Sequence, residues 1–107
     1  LNGEIFNFGP NSQINYSVIK LIKIMEKYWP NVSWKRQKNQ LKFSESKLLR
    51  LNSKKAKNKL GWKCILTFKE TSKMVSEWYR DFYDKKQILE KSRNDILNYE
   101  KLLKKRL

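Results

Sequence analysis

Asn52-Ser53-Lys54-Lys55-Ala56-Lys57-Asn58-Lys59-Leu60-Gly61-Trp62 is followed, after Ile65 and Leu66, by Thr67-Phe68-Lys69-Glu70. The first stretch reads as a short helix with both ends marked. Asn52 is a good N-cap, because its side-chain oxygen can take a free backbone N–H of the first turn. Ala56 and Leu60 lie four apart and share one face. Gly61 is the natural stop, since it reaches positive φ without a Cβ penalty. Trp62 then folds back onto that helix. The second stretch matches the capping-box pattern, a Thr with a Glu three residues on. It predicts a long helix whose buried face carries Phe68, Val75, Trp78 and Phe82.

Upstream of this pair, Leu49 and Leu51 alternate with Leu48, Arg50 and Asn52, which predicts a strand that hands over to the short helix. Glu4 to Phe8 also alternate in a strand-like way before Gly9-Pro10-Asn11 stops them. Ile14, Val18, Leu21, Ile22, Met25 and Trp29 recur at three- and four-residue steps and predict an amphipathic helix. Ser12 or Asn15 is its expected cap, and Pro30 ends it. Val32 to Arg36 reads as a short strand, and Gln37 to Glu45 as a polar loop. Downstream, the chain loosens around Asp84-Lys85-Lys86. Ser92-Arg93-Asn94-Asp95 is the expected start of a last helix, with Ile96, Tyr99, Leu102 and Leu103 on its inner side. Lys104, Lys105 and Arg106 fall in its final turn, where the helix dipole favours cations. The expected fold class is α+β, mainly helical with a few short strands.

The composition excludes whole classes of chemistry. The chain has 107 residues, about one domain's length, and no His, so triads and imidazole acid–base work are gone. Its single cysteine, Cys64, excludes an internal disulfide and multi-Cys metal sites. No metal ligand set and no catalytic residue is expected. The first residues lack a basic and then apolar leader, and no apolar run approaches the roughly 20 residues of a membrane span. A cytoplasmic protein without membrane contact is the expectation. Because Leu1 runs straight into a strand-like segment, the reading also expects a piece of a longer protein.

The net charge of +15 invites a nucleic-acid reading. However, 20 of the 25 basic residues are Lys, spread along the chain. Nucleic-acid readers lean on Arg, whose planar fork matches phosphate and guanine. Lys54, Lys55, Lys57 and Lys59 form the best phosphate-tracking cluster, with a solvated face as the plain alternative. Tyr16 and Lys20 have the Tyr-x-x-x-Lys spacing of short-chain dehydrogenases, where Lys lowers the Tyr pKa. No Gly-rich strand–turn–helix accompanies them. Glu77, Asp81 and Asp84 stand at helical spacing, either as an acid–base pair or as ordinary surface charge. Trp29, Trp34, Trp62 and Trp78 are stacking candidates or core. Cys64 reads as a half-buried packed thiol.

Four blocks, in order, carry a family resemblance. They are Asn7-Phe8-Gly9-Pro10, the run from Ser44-Glu45-Ser46-Lys47-Leu48-Leu49-Arg50-Leu51-Asn52 through Gly61-Trp62, Thr71 to Trp78-Tyr79, and Asp95-Ile96 with Tyr99-Glu100. Together they resemble the C-terminal part of extended short-chain dehydrogenase/reductases of the NAD-dependent epimerase/dehydratase family, most of all the CDP-glucose 4,6-dehydratase type. The resemblance covers nearly the whole chain. It implies that residues 1–107 form a C-terminal nucleotide-sugar-binding domain whose N-terminal Rossmann half, with NAD and the catalytic groups, is absent. A parent of this type is a lyase of carbohydrate biosynthesis, and its partners are the nucleotide sugar and its own Rossmann half. The family loop before the Leu-Lys-Leu-Asp strand carries over to Lys42, Phe43, Ser44 and Glu45, with Arg50 following in the strand. Lys42, Ser44, Glu45 and Arg50 are thereby implied as substrate-binding residues, cations and donors for a diphosphate and Glu45 for a hydroxyl. This chain has Ser44 where the family usually has His, Ser46 for Ala and Asn52 for Asp. The resemblance also places Tyr16 and Lys20 in a helix outside the active site. The alternative reading is a small basic nucleic-acid-binding module.

Overall fold

The structure is a computed structural model, and it describes residues 2–10, 16–35 and 51–107. Four helices follow one another: α1 (Val18–Tyr28), α2 (Lys54–Leu60), α3 (Phe68–Tyr83) and α4 (Ile88–Arg106). α3 is the centre of the arrangement, packed against α1 and against α4. The described part of the chain is thus mainly helical.

Three of these four helices begin beside a side chain that bonds the backbone. Ser17 caps α1, its Oγ accepting from the Lys20 N–H at 3.2 Å, so the cap is neither Ser12 nor Asn15. Thr67 caps α3 as the capping-box pattern predicts, with Oγ1 accepting from the Glu70 N–H at 3.2 Å. α2 starts one residue later than expected, from Ser53, whose hydroxyl is bonded to Gly9 and makes no cap bond. Asn52 still contributes: its Oδ1 accepts from the Lys54 N–H at 3.0 Å. α4 starts at Ile88, a full turn before the Ser92–Asp95 cluster.

The stops are those the sequence marks. Gly61 ends α2 at φ 65°, left-handed, and donates to Lys57 O at 3.1 Å while the Trp62 N–H donates to Ala56 O at 3.3 Å. This pair of bonds satisfies carbonyls that a helix end otherwise leaves open, and the Trp62 ring that follows meets Phe8. Trp29 closes α1 with a bond to Met25 O at 2.8 Å, just ahead of Pro30. Between α3 and α4 the chain turns through Lys85, at φ 56°.

Three expectations change. Among the described residues there is no strand. Glu4 to Phe8 form none, because partners other than a neighbouring strand take up the segment. Lys55 Nζ donates to Ile5 O at 3.0 Å, and Lys59 Nζ pairs with Glu4 at 3.0 Å. Val32 to Lys35 and Leu51-Asn52 form none either; Arg36 and residues 48–50 lie outside the described residues. Second, the fully covered face of α3 is carried by Ser72 and Ser76, whereas Val75 and Phe82 are 44% and 50% exposed. The serine hydroxyls bond back to Phe68 O at 2.7 Å and Ser72 O at 2.6 Å, so their burial strands no polar atom. Third, Ile96 faces outward at 59% exposure, while Tyr99, Leu102 and Leu103 are half-buried as expected.

α3 is fastened to both neighbours by named contacts. Arg80 Nη1 donates to Tyr28 O at the end of α1, at 3.2 Å, and Trp29 stacks on Tyr83 with centroids 5.4 Å apart. Toward α4, Trp78 Nε1 donates to Ser92 Oγ at 2.9 Å. Lys91 sits between Glu77 at 3.6 Å and Asp95 at 3.1 Å.

Candidate functional site

The N-terminal segment docks on the start of α2 through one glycine. Gly9 donates its N–H to Ser53 Oγ at 2.9 Å, and the same hydroxyl donates back to Gly9 O at 3.2 Å. A Cβ built at Gly9 meets Leu51 Cβ at 2.9 Å, closer than real Cβ atoms approach, so only glycine fits. Beside it Phe8 packs edge-on against Trp62, centroids 5.2 Å apart. The Asn-Phe-Gly-Pro block and the Ser-Lys-x-Ala-x-x-x-Leu-Gly-Trp block are therefore neighbours in space, although residues 9 and 53 are 44 positions apart.

This junction forms one wall of an apolar groove of about 510 Å³. Leu21 and Met25 of α1, Phe68 and Val75 of α3, and Tyr99 of α4 supply other parts of the lining. Among the described lining residues only Cys64 and Tyr99 carry a titratable group. Such a surface buries apolar area and stacks flat rings; it has no acid–base pair with which to move protons. Sequence reading missed this groove, because its lining comes from segments whose proximity no local pattern encodes.

The residues implied for substrate, Lys42, Ser44, Glu45 and Arg50, lie outside the described residues. The other candidates resolve into ordinary packing. Tyr16 stacks flat on Phe68 with centroids 3.8 Å apart, just before α1 begins, and Lys20 Nζ lies 4.6 Å over the Tyr16 ring. The ammonium is seated on the ring face, a cation–π contact. The two acids Glu77 and Asp81 are in separate ion pairs, Glu77 with Lys73 at 3.3 Å and Asp81 with Arg80 at 3.2 Å. Within the basic cluster, Lys59 and Lys55 turn toward Glu4, at 3.0 and 4.0 Å, and Lys55 Nζ also lies 4.7 Å from the Phe6 ring centroid. Cys64 is exposed, not half-buried, with Sγ 3.4 Å from Leu66 O. Trp29, Trp62 and Trp78 are half-buried in aromatic contacts, and Trp34 is exposed.

One carboxylate is displaced from its ordinary titration. Glu70 is held below the usual glutamate range, first by its hydrogen bond from Arg106, against the opposing effect of burial, and then by Thr67. Arg106 Nη1 reaches Oε2 at 2.8 Å and Oε1 at 3.1 Å, and also donates to Ile65 O at 2.8 Å. This clasp secures the end of α4 beside the start of α3.

Among the described residues no cluster of His, Cys, Asp and Glu is placed to hold a metal ion, and no helix is long and apolar enough to cross a membrane. Gly9 is closed against Leu51, Gly3 lies in a turn and Gly61 ends a helix, so the described glycines do not fit a dinucleotide cradle. No protein-family model, no curated protein and no solved structure matches the chain.

Proposed function

We propose that the chain is the substrate-binding C-terminal part of a nucleotide-sugar 4,6-dehydratase, most similar to the CDP-glucose type. In this reading the parent enzyme is a lyase. It oxidises C4 of the sugar with NAD held in its Rossmann half, eliminates water across C5 and C6, and returns the hydride to C6. The present residues bind and orient the nucleotide sugar and catalyse nothing alone.

One observation supports the reading above others. The Gly9–Ser53 double hydrogen bond and the Phe8–Trp62 contact join two of the blocks that carry the resemblance. Both blocks then owe their residue types to a single junction, which chance similarity does not require. The groove beside that junction is lined mainly by apolar residues among those described, in keeping with a binding half whose chemistry is supplied elsewhere.

The test is a titration of the isotope-labelled chain with CDP, CDP-glucose and a short DNA duplex, at low and high salt. The proposal expects small shifts at Lys42 to Arg50 with both CDP compounds, since a half-site lacks its opposing wall. It also expects DNA binding that is sequence-blind and collapses with salt, as unspecific phosphate contacts do. Tight duplex binding that persists at moderate salt, with no response to CDP, replaces it with the nucleic-acid module.

A further inference from the structure

α4 carries two apolar sides, and only one of them has a partner among the described residues. Lys91, Ser92 and Asp95, with Tyr99 and Leu102 beyond them, lie on the less exposed side, where Trp78 and Glu77 of α3 make their contacts. Around the helix from these, Leu89, Ile96 and Leu97 are 63%, 59% and 54% exposed. Leu89 and Ile96 are one heptad apart, and Leu103 continues the spacing, the repeat with which a helix presents a seam to another helix. Isolated exposed leucines are ordinary, but three in one lengthwise stripe are a surface that water covers poorly.

The charges along this stripe say what covers it. At 100° per residue, Arg93 and Glu100 fall within the same sector as Leu89, Ile96 and Leu97. They stand at matched distances on either side of the point between Ile96 and Leu97. Arg93 is exposed, and among the described residues its ion pair is with Glu90 of its own helix, at 3.6 Å. Glu100 makes no ion pair among the described residues. Lys101, Lys104, Lys105 and Arg106 crowd the C-terminal end, and Glu90 lies at the other.

We propose that α4 pairs with the α4 of a second copy of this chain, antiparallel, about a two-fold axis that passes between Ile96 and Leu97. In this register Arg93 faces the partner's Glu100, and the symmetry makes the contact twice. The Ile96–Leu97 centre packs on itself. Glu90 comes toward the basic C-terminal turn of the other copy, and the two basic ends are held apart by the length of the helix, about 28 Å. A parallel pairing brings Arg93 onto Arg93, Glu100 onto Glu100, and both basic turns together, so like-charge repulsion excludes it. The same charges therefore select both the partner and its direction. A single helix face is smaller than a standard interface, and the dimer is accordingly weak and concentration-dependent.

Sedimentation equilibrium of the whole chain over a wide concentration range tests this. The expected result is a monomer–dimer equilibrium that weakens with salt. Arg93→Glu weakens it about tenfold, as two like-charge contacts replace two exposed ion pairs. The double variant Arg93→Glu with Glu100→Arg restores it, and this also shows that the single variant did not act by unfolding. A chain that stays monomeric at every concentration overturns the proposal. So does a dimer that Arg93→Glu leaves unchanged, or one that the double variant fails to restore.

Discussion

At its first turn α3 is held by directed polar bonds, and at its last turn by stacked rings. Thr67, Glu70 and Arg106 form the first arrangement, where Arg106 also takes Ile65 O at 2.8 Å. In the second, Trp78 stacks on Phe82 at 5.6 Å, Phe82 meets Tyr83 edge-on at 5.4 Å, and Tyr83 stacks on Trp29. The polar end fixes position with little buried area, and its groups stay about one-third exposed. The aromatic end is joined by ring contacts with looser geometric demands, and Phe82 and Tyr83 stay 50% and 64% exposed there. Helix α3 is thus tied by hydrogen bonds at one end and by ring contacts at the other.

This contrast is breakable. Trp78→Ala carries the largest expected effect. It removes the stack on Phe82 and leaves Ser92 without its indole donor, at a cost of about 3 kcal/mol, the low end for a large aromatic because the ring is half-buried. Urea denaturation measures it, and a loss below that of Thr67→Ala breaks the comparison. Thr67→Ala comes next, at about 1 kcal/mol for a lost N-cap, with fraying of the first turn of α3 visible as faster amide exchange near Glu70.

Acid gives the smallest effect and the sharpest assignment. The folded pKa of Glu70 is lowered, chiefly by Arg106, so the folded state favours its ionised form. Its stabilising contribution is complete above the unfolded glutamate value, about 4.3, and is lost as pH falls through the lower folded value. Comparing Glu70→Gln with the parent chain across this interval tests the sign. The parent holds its advantage near neutrality and loses it in acid; an advantage that grows in acid contradicts the clasp. Solvent screening at an exposed pair keeps the effect small.

The readable parts of the sequence were those where one residue type answers a local backbone demand. Gly61 at positive φ, Thr67 three residues before Glu70, and Pro30 after Trp29 each state a helix boundary without reference to the rest of the chain. The strands expected at Glu4–Phe8 and Val32–Arg36 depended on ladder partners, which alternation alone does not supply. Helix α3 was misread on one face because large apolar residues were assumed to point inward. Ser72 and Ser76 are covered instead, since small side chains let neighbouring elements come close and their hydroxyls are satisfied within the helix. Helix α4 starts a turn early, from Gln87, which makes no side-chain cap bond and so leaves no local signature of the start. The groove was invisible for a related reason: Phe8, Met25, Phe68 and Tyr99 share a wall only after the helices have packed.

Gly9 has a consequence for how such a chain tolerates change. Its missing side chain sets the spacing between the N-terminal segment and the Leu51–Ser53 corner, and the Ser53 hydroxyl reads that spacing with both a donor and an acceptor. A methyl group at position 9 cannot be compensated by trimming Leu51, because the clash is with its Cβ and every residue but glycine has one. Positions 9 and 51 thus behave as a lock with a single spare key: glycine at one or glycine at the other.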